Sequence, residues 1–358
     1  MAKPLRVGII GCGVISRTHV ESFQNLDDVE VRWACDIQID RAEALASKLG
    51  IAHTTADAEQ VFADDQVDLV SICTDHASHV PLTIAAFEHG KHVLCEKALA
   101  ATNAQLDQVL QAHADHPHLV YSGVFQHRFD GAGRVMRDLV ANGSLGRMLS
   151  ASMQLRCLRR PEYYADDWHG TWDKEGGSVL INQAIHFVDA LAWIMGGARG
   201  VLAQWANLAH EGQIETEDTL AASVEFDNGA LGTVEVTSGS NVEWQHTLSF
   251  SGTEGTVEMR NNRPTFMQFA DATRQDEVER LFAEAADPAG VSAARSYYGT
   301  GHPAQIADVV DAVREGREPF VTGEQAAHAV RLVLAAYASG RQGQRVEVES
   351  AQPAGARS

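Results

Sequence analysis

The stretch LRVGIIGCGVIS, residues 5–16, decides the fold, because a short apolar run ends in glycines and a helical pattern follows them. This order is the dinucleotide fingerprint, with Ser16 in place of the third glycine. Gly11 permits a tight turn and Gly13 lets the backbone approach a pyrophosphate. The start of the helix supplies unpaired N–H groups and positive potential. The stretch therefore predicts a strand, a nucleotide-binding loop and a helix.

An acidic residue follows the second apolar run. Asp36 stands about 20 residues beyond the glycines, where an acid accepts hydrogen bonds from the adenosine ribose and repels a 2′-phosphate. We therefore predict NAD as the cofactor, with NADP less favoured. Arg41 lies close behind and could partly reverse this preference.

Strand and helix patterns alternate over the first third of the chain. This alternation is typical of βαβ units in a doubly wound parallel sheet, and it predicts a Rossmann domain over residues 1–125. The predicted strands are residues 5–10, 29–35, 67–73, 92–95 and 119–124, with helices at about 16–25, 41–49, 81–89 and 103–113.

The pattern changes after about Gln126, where strand-like runs follow one another with turn signals between them. We predict an α+β domain over residues 126–346, built on a large, open, mostly antiparallel sheet. Helices at 129–142 and 178–195 would cover one face, and the other face is a candidate interface for a homodimer or homotetramer. Further predictions are a surface excursion at 271–289, closing helices at about 303–338 that could pack back on the first domain, and a tail at 347–358.

Composition excludes several classes of partner. The chain has 358 residues and a formal net charge of -20, which repels nucleic acid and anionic membrane surfaces. It shows no apolar run long enough to span a bilayer and no signal-peptide pattern. The five cysteines are scattered, and four lie near apolar strand-like runs, so we predict a cytoplasmic location.

A second informative stretch is GGSVLINQAIHFVD, residues 176–189. Asn182 and Gln183 precede His186 by about one helical turn, and Asp189 follows three residues later, so all four could share one side of a helix. The rest of the segment is apolar, so polar groups there need a reason. We predict that the imidazole of His186 is the acid–base group of a dehydrogenase and that Gln183 recognises substrate.

Two further groups lie where strands end. Thr74 and the pair Glu96–Lys97 follow apolar strands, and ligands bind at the carboxyl ends of strands in such sheets. Lys97 could hydrogen-bond a substrate hydroxyl and lower its pKa. The alternative is a surface lysine paired with Glu96. His76 and His79 are expected to line the cofactor cleft.

The segment RCLRRPEYYADDWHGTW, residues 156–172, mixes arginines, aromatics and acids. Aromatic rings stack on sugar faces, and arginine and aspartate bind hydroxyls or anionic groups. The alternatives are a packed loop over the sheet and, for the arginines, a network of salt bridges. The predicted substrate-binding residues are Arg159, Tyr163, Tyr164, Trp168, His169, Trp172, Asn182 and Gln183.

These motifs together resemble the Gfo/Idh/MocA family of NAD(P)-dependent oxidoreductases over nearly the whole chain. The resemblance implies a Rossmann domain, a second domain on a large open sheet, and hydride transfer at a secondary alcohol of a sugar or cyclitol. It implies that Lys97 contacts the reacting hydroxyl and that His186 is the acid–base residue. The motifs are GCGVIS (11–16), SICTDHASH (71–79), GKHVLCEKALA (90–100), GGSVLINQAIHFVD and GTGHPAQIADVVDAV (299–313).

The chain departs from the family pattern at three places. Ala98 replaces the usual proline after Lys97, so the aim of the lysine is less constrained. Asp75 and His76 replace the usual Pro-Asn pair beside the nicotinamide ribose. Asn182 stands where many members carry an aspartate, so it can orient or bind but cannot take a proton.

The sequence therefore predicts a dehydrogenase or reductase that acts on a CH–OH group. A non-catalytic regulatory protein that binds dinucleotide or sugar is the alternative, and the presence of both Lys97 and His186 argues against it. No metal is predicted, because the histidines at 113, 116 and 118 lack matching ligands. The predicted cofactor-binding residues are Gly11, Gly13, Val14, Ile15, Asp36, Thr74, His76, His79, Glu96, Lys97 and Gln126.

Overall fold

The computed structural model describes residues 4–286 and 300–349. They divide into two compact units, of which the first spans Met1–Phe125 and Gly301–Ala327, and the second Gln126–Thr300 and His328–Ser358. The chain thus returns to the first unit after completing most of the second. Among the described residues, no helix is long and apolar enough to cross a membrane.

The strands and helices are numbered in chain order and have the following bounds. The strands up to Phe125 are β1 Leu5–Ile10, β2 Val29–Cys35, β3 His53–Thr55, β4 Leu69–Ile72, β5 His92–Cys95 and β6 Tyr121–Gly123. The helices among them are α1 Ser16–Gln24, α2 Ile39–Leu49, α3 Ala58–Ala63, α4 His76–Glu88 and α5 Asn103–Asp115. Later helices are α6 Gly131–Ala141, α7 Ile185–Met195, α8 Ala272–Glu284, α9 His302–Glu315 and α10 Gly323–Gln342. Later strands are β7 Met148–Leu158, β8 Ala198–Ala206, β9 Thr219–Phe226, β10 Leu231–Thr237, β11 Gly239–Gly252, β12 Gly255–Arg260, β13 Arg263–Phe269 and β14 Val346–Glu347.

The first unit is a doubly wound parallel sheet of six strands in the order β3-β2-β1-β4-β5-β6, which confirms the predicted Rossmann fold. Val7 and Ile9 of β1 are fully buried, and Phe23 of α1 and Val309 of α9 belong to the same core. The strand order reverses between β1 and β4, which is where such sheets bind their ligands. The glycine loop follows β1 at this point.

The second unit contains an eight-stranded sheet in the order β13-β12-β11-β7-β10-β9-β8-β14. The β7–β10 pair is parallel and the other pairs are antiparallel, so the predicted mostly antiparallel sheet is confirmed. Burial alternates along β10, where Val234 and Val236 are buried and Glu235 is exposed. Such alternation is expected of a sheet with one covered face. Leu180 of the preceding segment, Val188 of α7 and Leu332 of α10 line the covered side of this sheet.

Three predictions of local structure were wrong. Residues 271–289 were expected to be an irregular excursion over the surface, but α8 forms there because Asp271 caps Thr273 and because Val278 and Phe282 are buried, while most of its other residues are exposed and residues 287–289 lie outside the described part of the chain. The predicted tail 347–358 begins too early, since β14 pairs with β8, and residues 350–358 lie outside the described part of the chain. The helix expected to start at Pro81 starts at His76.

The segment 178–195 is not one uniform helix. Val179–Ala184 form a π-helix, and α7 begins only at Ile185. Asn182 and Gln183 therefore lie in the π-helix, whereas His186 and Asp189 lie in α7. The four residues therefore do not lie on one regular α-helix, as the prediction assumed, because the π-helix changes the angular spacing of its residues.

Candidate active site

The glycine loop after β1 fits a bound pyrophosphate. Gly11 has φ +89°, and a Cβ there would lie 2.7 Å from backbone atoms of Cys73, so only glycine suits the position. A Cβ on Gly13 would meet none of the described atoms within 4 Å, so the backbone faces open space. The Ser16 hydroxyl donates to the Gly13 carbonyl at 2.7 Å, and α1 begins at this residue. Val14 at the loop tip is 83% exposed.

Asp36, directly after β2, is tied to the same loop. Its Oδ2 accepts a hydrogen bond from the backbone N–H of Cys12 at 2.8 Å, and its Oδ1 accepts one from Gln38 at 2.8 Å. A carboxylate has about four acceptor sites, so these bonds leave it able to accept from ribose hydroxyls. The loop, the start of α1 and Asp36 together fit NAD.

His79 was predicted to line the cofactor site, but its side chain is fully buried. Its Nδ1 lies 2.7 Å from the carbonyl oxygen of Ala98, and its Nε2 lies 3.2 Å from that of Thr74. Burial lowers the pKa of His79. Its contacts favour a role in supporting two strand-end loops over direct contact with a ligand. His76, the first residue of α4, is also buried.

Glu96 and Lys97 follow β5, as the sequence predicted. Glu96 is buried, and its Oε1 lies 2.9 Å from Nε2 of His19 in α1. It is therefore not the exposed partner of a surface lysine. Its other oxygen accepts the backbone N–H of Lys97 at 3.1 Å, and the peptide bond from Lys97 to Ala98 is cis.

In the second unit, Tyr163 brings several predicted residues together. Its hydroxyl accepts hydrogen bonds from Nδ2 of Asn182 at 3.2 Å and from Nε2 of Gln183 at 2.8 Å. The guanidinium of Arg159 lies 4.7 Å from the centre of its ring. The structure thus gathers four predicted substrate-binding residues into one polar cluster.

Glu175 belongs to this cluster and was missed. It is fully buried, one of its oxygens accepts a hydrogen bond from Asn182 Nδ2, and the other accepts the backbone N–H of Gly170 at 2.5 Å. A buried carboxylate therefore lies beside the amide that replaces the family's aspartate. The sequence signal was an acid directly before Gly176–Gly177, but its partner could not be read from spacing.

Restoring the aspartate at 182 is therefore expected to destabilise the protein. Asn182→Asp would put a second carboxylate against Glu175 and remove an N–H donor, at a cost of about 1–3 kcal/mol in the free energy of unfolding. Denaturant unfolding of the single variants and of Asn182→Asp/Glu175→Gln would measure the coupling. The double variant should regain stability, because the introduced glutamine can donate to the introduced aspartate. Equal stability of Asn182→Asp and the parent protein would show that the two groups do not interact.

Gln183 has one buried polar atom that suggests a ligand-binding position. The residue is 4% exposed, and among the described residues its Oε1 has no hydrogen-bond partner. Leaving a buried acceptor unpaired costs about 1–3 kcal/mol. A ligand group that hydrogen-bonds this side chain would remove that cost.

Other aromatic residues of the predicted specificity segment pack elsewhere. The Tyr164 hydroxyl lies 3.2 Å from Oγ of Ser238 in the interior. Trp172 donates to the carbonyl of Glu215 and packs against Tyr337. For Tyr164 and Trp172 the packed-loop alternative fits the structure better than substrate contact.

The remaining predicted residues of segment 156–172 lie either beside the polar cluster or in surface salt bridges. The ring of Trp168 packs at a tilt against that of His169, with 3.7 Å between ring centres, and the ring centre of His169 lies 4.4 Å from that of Tyr163. This pair therefore adjoins the polar cluster. Arg156 and Arg160 form surface salt bridges, which is the other alternative for the arginines.

His186 is partly exposed at the start of α7. Its ring lies edge-on to that of His127, with 5.6 Å between centres. His127 is buried, and its Nδ1 lies 2.5 Å from Oδ2 of Asp130. This His–Asp pair was also missed. Gln126, predicted to bind the cofactor, is buried next to it in a 3-10 helix, Gln126–Phe129.

A buried carboxyl group holds the start of the segment that carries the polar residues. Glu217 accepts the backbone N–H groups of Ser178 and Leu180 and the hydroxyl of Tyr337. Burial raises the pKa of Glu217 to about 7. These bonds satisfy N–H groups at the start of the π-helix, which an isolated helix end would leave unpaired.

The other end of the segment is held by an ion pair. Asp189 in α7 accepts two hydrogen bonds from Arg128, at 2.8 and 2.6 Å. Both side chains are buried. Asp189 therefore has a structural role.

Models of one protein family match both parts of the chain. The Gfo/Idh/MocA model described as "Oxidoreductase family, NAD-binding Rossmann fold" matches residues 5–124. A second model of that name, "Oxidoreductase family, C-terminal alpha/beta domain", matches residues 137–348. The two models together match most of the chain.

Individual relatives are similar over long stretches. The chain is 25% identical over 350 residues to myo-inositol 2-dehydrogenase of Thermotoga maritima, covering 96% of this chain and 99% of the relative. It is 30% identical over 271 residues to D-glucoside 3-dehydrogenase of Escherichia coli, covering 70% and 75%. Among solved structures, the WlbA dehydrogenase of Bordetella pertussis in complex with NADH and UDP-GlcNAcA has a TM-score of 0.88 at 26% identity, with 98% and 99% of the two chains covered.

Proposed function

Because the chain belongs to the Gfo/Idh/MocA oxidoreductase family, we propose that it is an NAD-dependent dehydrogenase acting on a secondary alcohol or ketone of a sugar, sugar derivative or cyclitol. The observation that carries this proposal is the pair of sites on the two units. The first unit has a glycine loop and Asp36 that fit NAD. The second has His186 and a polar cluster around Tyr163 that suits a hydroxylated ligand.

His186 takes the proton from the reacting hydroxyl, or returns it in the reverse direction. Its partial exposure lets a ligand reach the ring, and imidazole is the side chain most often used as a general acid–base group. Lys97 donates a hydrogen bond to the same oxygen and stabilises the negative charge that develops on it. NAD, when bound, supplies the hydride chemistry.

The polar cluster selects the substrate. The hydroxyl of Tyr163 and the amides of Asn182 and Gln183 present donors and acceptors at short range. Such groups can hydrogen-bond the hydroxyls of a polyol. Gln183 Oε1 only accepts hydrogen bonds, so it could not pair with the carboxylate of an acidic ligand. The relatives named for myo-inositol and D-glucosides support a substrate of this class.

A spectrophotometric screen for NADH formation tests the proposal. The purified protein would be incubated with NAD and a panel of myo-inositol, D-glucosides, levoglucosan and UDP-linked sugars. Turnover on at least one member is expected. Tight NADH binding without turnover on any member would favour the alternative, a regulatory protein that binds dinucleotide or sugar.

The cofactor preference predicts the effect of Asp36→Asn. Hydrogen bonds to a charged group contribute about 1.5–3 kcal/mol, so the variant should bind NADH roughly 10- to 100-fold more weakly. The affinity for NADPH should fall less, because the charge that repels its 2′-phosphate is gone. Fluorescence titration measures both affinities, with Asp40→Asn, an exposed acid of α2, as the control. An unchanged ratio of the two affinities would contradict the assigned role.

We propose that copies of the chain pair through the open face of the eight-stranded sheet, where Leu202 is 45% and Leu231 is 63% exposed. We also propose a cytoplasmic location, which the five free cysteines support.

A further inference from the structure

A cluster of buried polar side chains lies at the carboxyl ends of β4 and β5. Nδ1 of His19 lies 2.8 Å from Oγ of Ser71, and its Nε2 lies 2.9 Å from Oε1 of Glu96. Nε2 of His302, at the start of α9, lies 4.0 Å from the same carboxylate oxygen. The four residues come from α1, β4, the loop after β5 and α9.

Within this cluster, His19 and Glu96 form an ion pair that is shielded from solvent. His19 has no exposed surface, and Glu96 and His302 are 5% and 4% exposed. Burial opposes the charge on His19, but Cys73 and Glu96 raise the pKa of His19 to about 10. Burial also opposes the charge on Glu96, but His19 outweighs it and holds the pKa of Glu96 below its usual range. A buried charge of this kind is retained only when it is paired.

The carboxylate also reaches the backbone of Lys97. Its Oε2 accepts the N–H of Lys97 at 3.1 Å, while the carbonyl of the next residue, Ala98, contacts Nδ1 of His79 at 2.7 Å. The backbone is therefore held on both sides of Lys97. This matters here because Ala98 stands where the family pattern has a proline, whose ring would itself restrict the turn.

We propose that His19 is a positioning residue for Lys97: its imidazole holds the Glu96 carboxylate, and the carboxylate holds the backbone from which the lysine side chain extends. The inference rests on the proposed function, since it takes Lys97 to contact the reacting hydroxyl. His302 completes the packing around the carboxylate. The cluster also ties α1, which begins at the glycine loop, to the strand end that carries the lysine.

The same atoms suggest a metal site as a different possibility. One ligand atom from each of His19, Glu96 and His302 lies within 4.8 Å of the others. However, both ring nitrogens of His19 already have partners in Ser71 and Glu96. The ion pair is therefore the better description, and a bound metal is an outcome of the test below.

Two substitutions separate positioning from mere packing. His19→Leu removes both hydrogen bonds, whereas His19→Gln keeps a donor near the position of Nε2. We expect His19→Leu to lower kcat about 100-fold, the scale of a misplacement of about 1 Å, with little change in the KM for NAD. His19→Gln should recover most of the lost turnover. His113→Gln is the matched control, because His113 forms a 2.9 Å pair with Glu324 elsewhere in the first unit.

Hydrogen exchange gives a readout that does not depend on turnover. In the apoprotein, the Lys97 amide should exchange faster in His19→Leu than in the parent protein and the two other variants. Mass spectrometry with residue-level fragmentation measures the exchange of this single amide. Unchanged exchange together with unchanged kcat in folded His19→Leu would overturn the proposal while leaving the proposed function intact.

Two other outcomes are also decisive. Normal turnover in Lys97→Ala would remove Lys97 from the proposed mechanism, and with it the positioning role of His19. Loss of activity with a chelator, restored by Zn²⁺ alone, would replace the ion pair with a metal site. Activity that persists in chelator, combined with recovery in His19→Gln, supports the proposal.

Discussion

Replacing His186 with glutamine is expected to lower kcat by about 10²- to 10⁴-fold, the usual contribution of a general acid–base group. Glutamine has a similar reach and can hydrogen-bond, but it cannot carry a proton between the hydroxyl and solvent. The affinity for NADH should be unchanged, since the glycine loop and Asp36 belong to the first unit. Steady-state kinetics with the substrate found in the screen, combined with NADH titration, measure both effects.

The control for this experiment is His328→Gln in the same unit. His328 is buried, and its ring contacts the backbone of Ala198 and of Glu349, so its loss should reduce stability but not kcat. If His186→Gln retained near-normal kcat, His186 would not be the acid–base group. His127, whose ring adjoins it and whose Nδ1 contacts Asp130, would then be the next residue to test.

Arg128→Met is expected to produce the largest loss of stability. It would leave Asp189, 1% exposed, as an unpaired charge in the interior, which costs about 3–5 kcal/mol in the free energy of unfolding. In a unit of this size each kcal/mol lowers Tm by roughly 2–4 °C, so Tm should fall by roughly 6–20 °C. Calorimetry or thermal unfolding followed by circular dichroism measures the change.

Two further variants show whether the loss comes from the unpaired charge. Arg17→Met breaks an exposed ion pair with Glu21 and should cost no more than about 1 kcal/mol. Arg128→Met/Asp189→Leu removes both charges and should recover much of the stability, because apolar residues often replace a buried pair without loss. If Arg128→Met unfolded at the parent temperature, the pair would contribute little, and α7 would be held by its apolar contacts alone.

The fold could be predicted largely because its signals are local. The glycines at 11 and 13 follow a strand directly, and the apolar runs of β1, β2 and β5 have the predicted bounds. The short strands β3 and β14 were missed because a strand of two or three residues shows no alternation. The π-helix was missed because a mostly apolar segment can form an α-helix or a π-helix, and its composition does not distinguish the two.

The site was predictable only in part. Tyr163, Asn182 and Gln183 were each singled out by type and position, and the structure brings them together. Their link to Glu175 could not be predicted, because which side chain a buried carboxylate meets depends on the path of the backbone. The pairing of His19 with Glu96 spans 77 residues of sequence and depends on the meeting of α1 and β5. For Trp172 the sequence left two alternatives open, because an aromatic residue in a loop serves packing as well as it serves recognition.

The π-helix at Val179–Ala184 makes this part of the chain sensitive to length rather than to residue type. Each residue of an α-helix turns by about 100°, so deleting one residue to give a regular helix would swing Asn182 and Gln183 by about that angle relative to His186. Asn182, Gln183 and His186 would all remain in the chain, yet the two amides would point in a different direction relative to the imidazole. A comparison of relatives that counts only identical residues would overlook such a change, whereas a one-residue gap within this segment would mark a protein in which these three side chains are arranged differently.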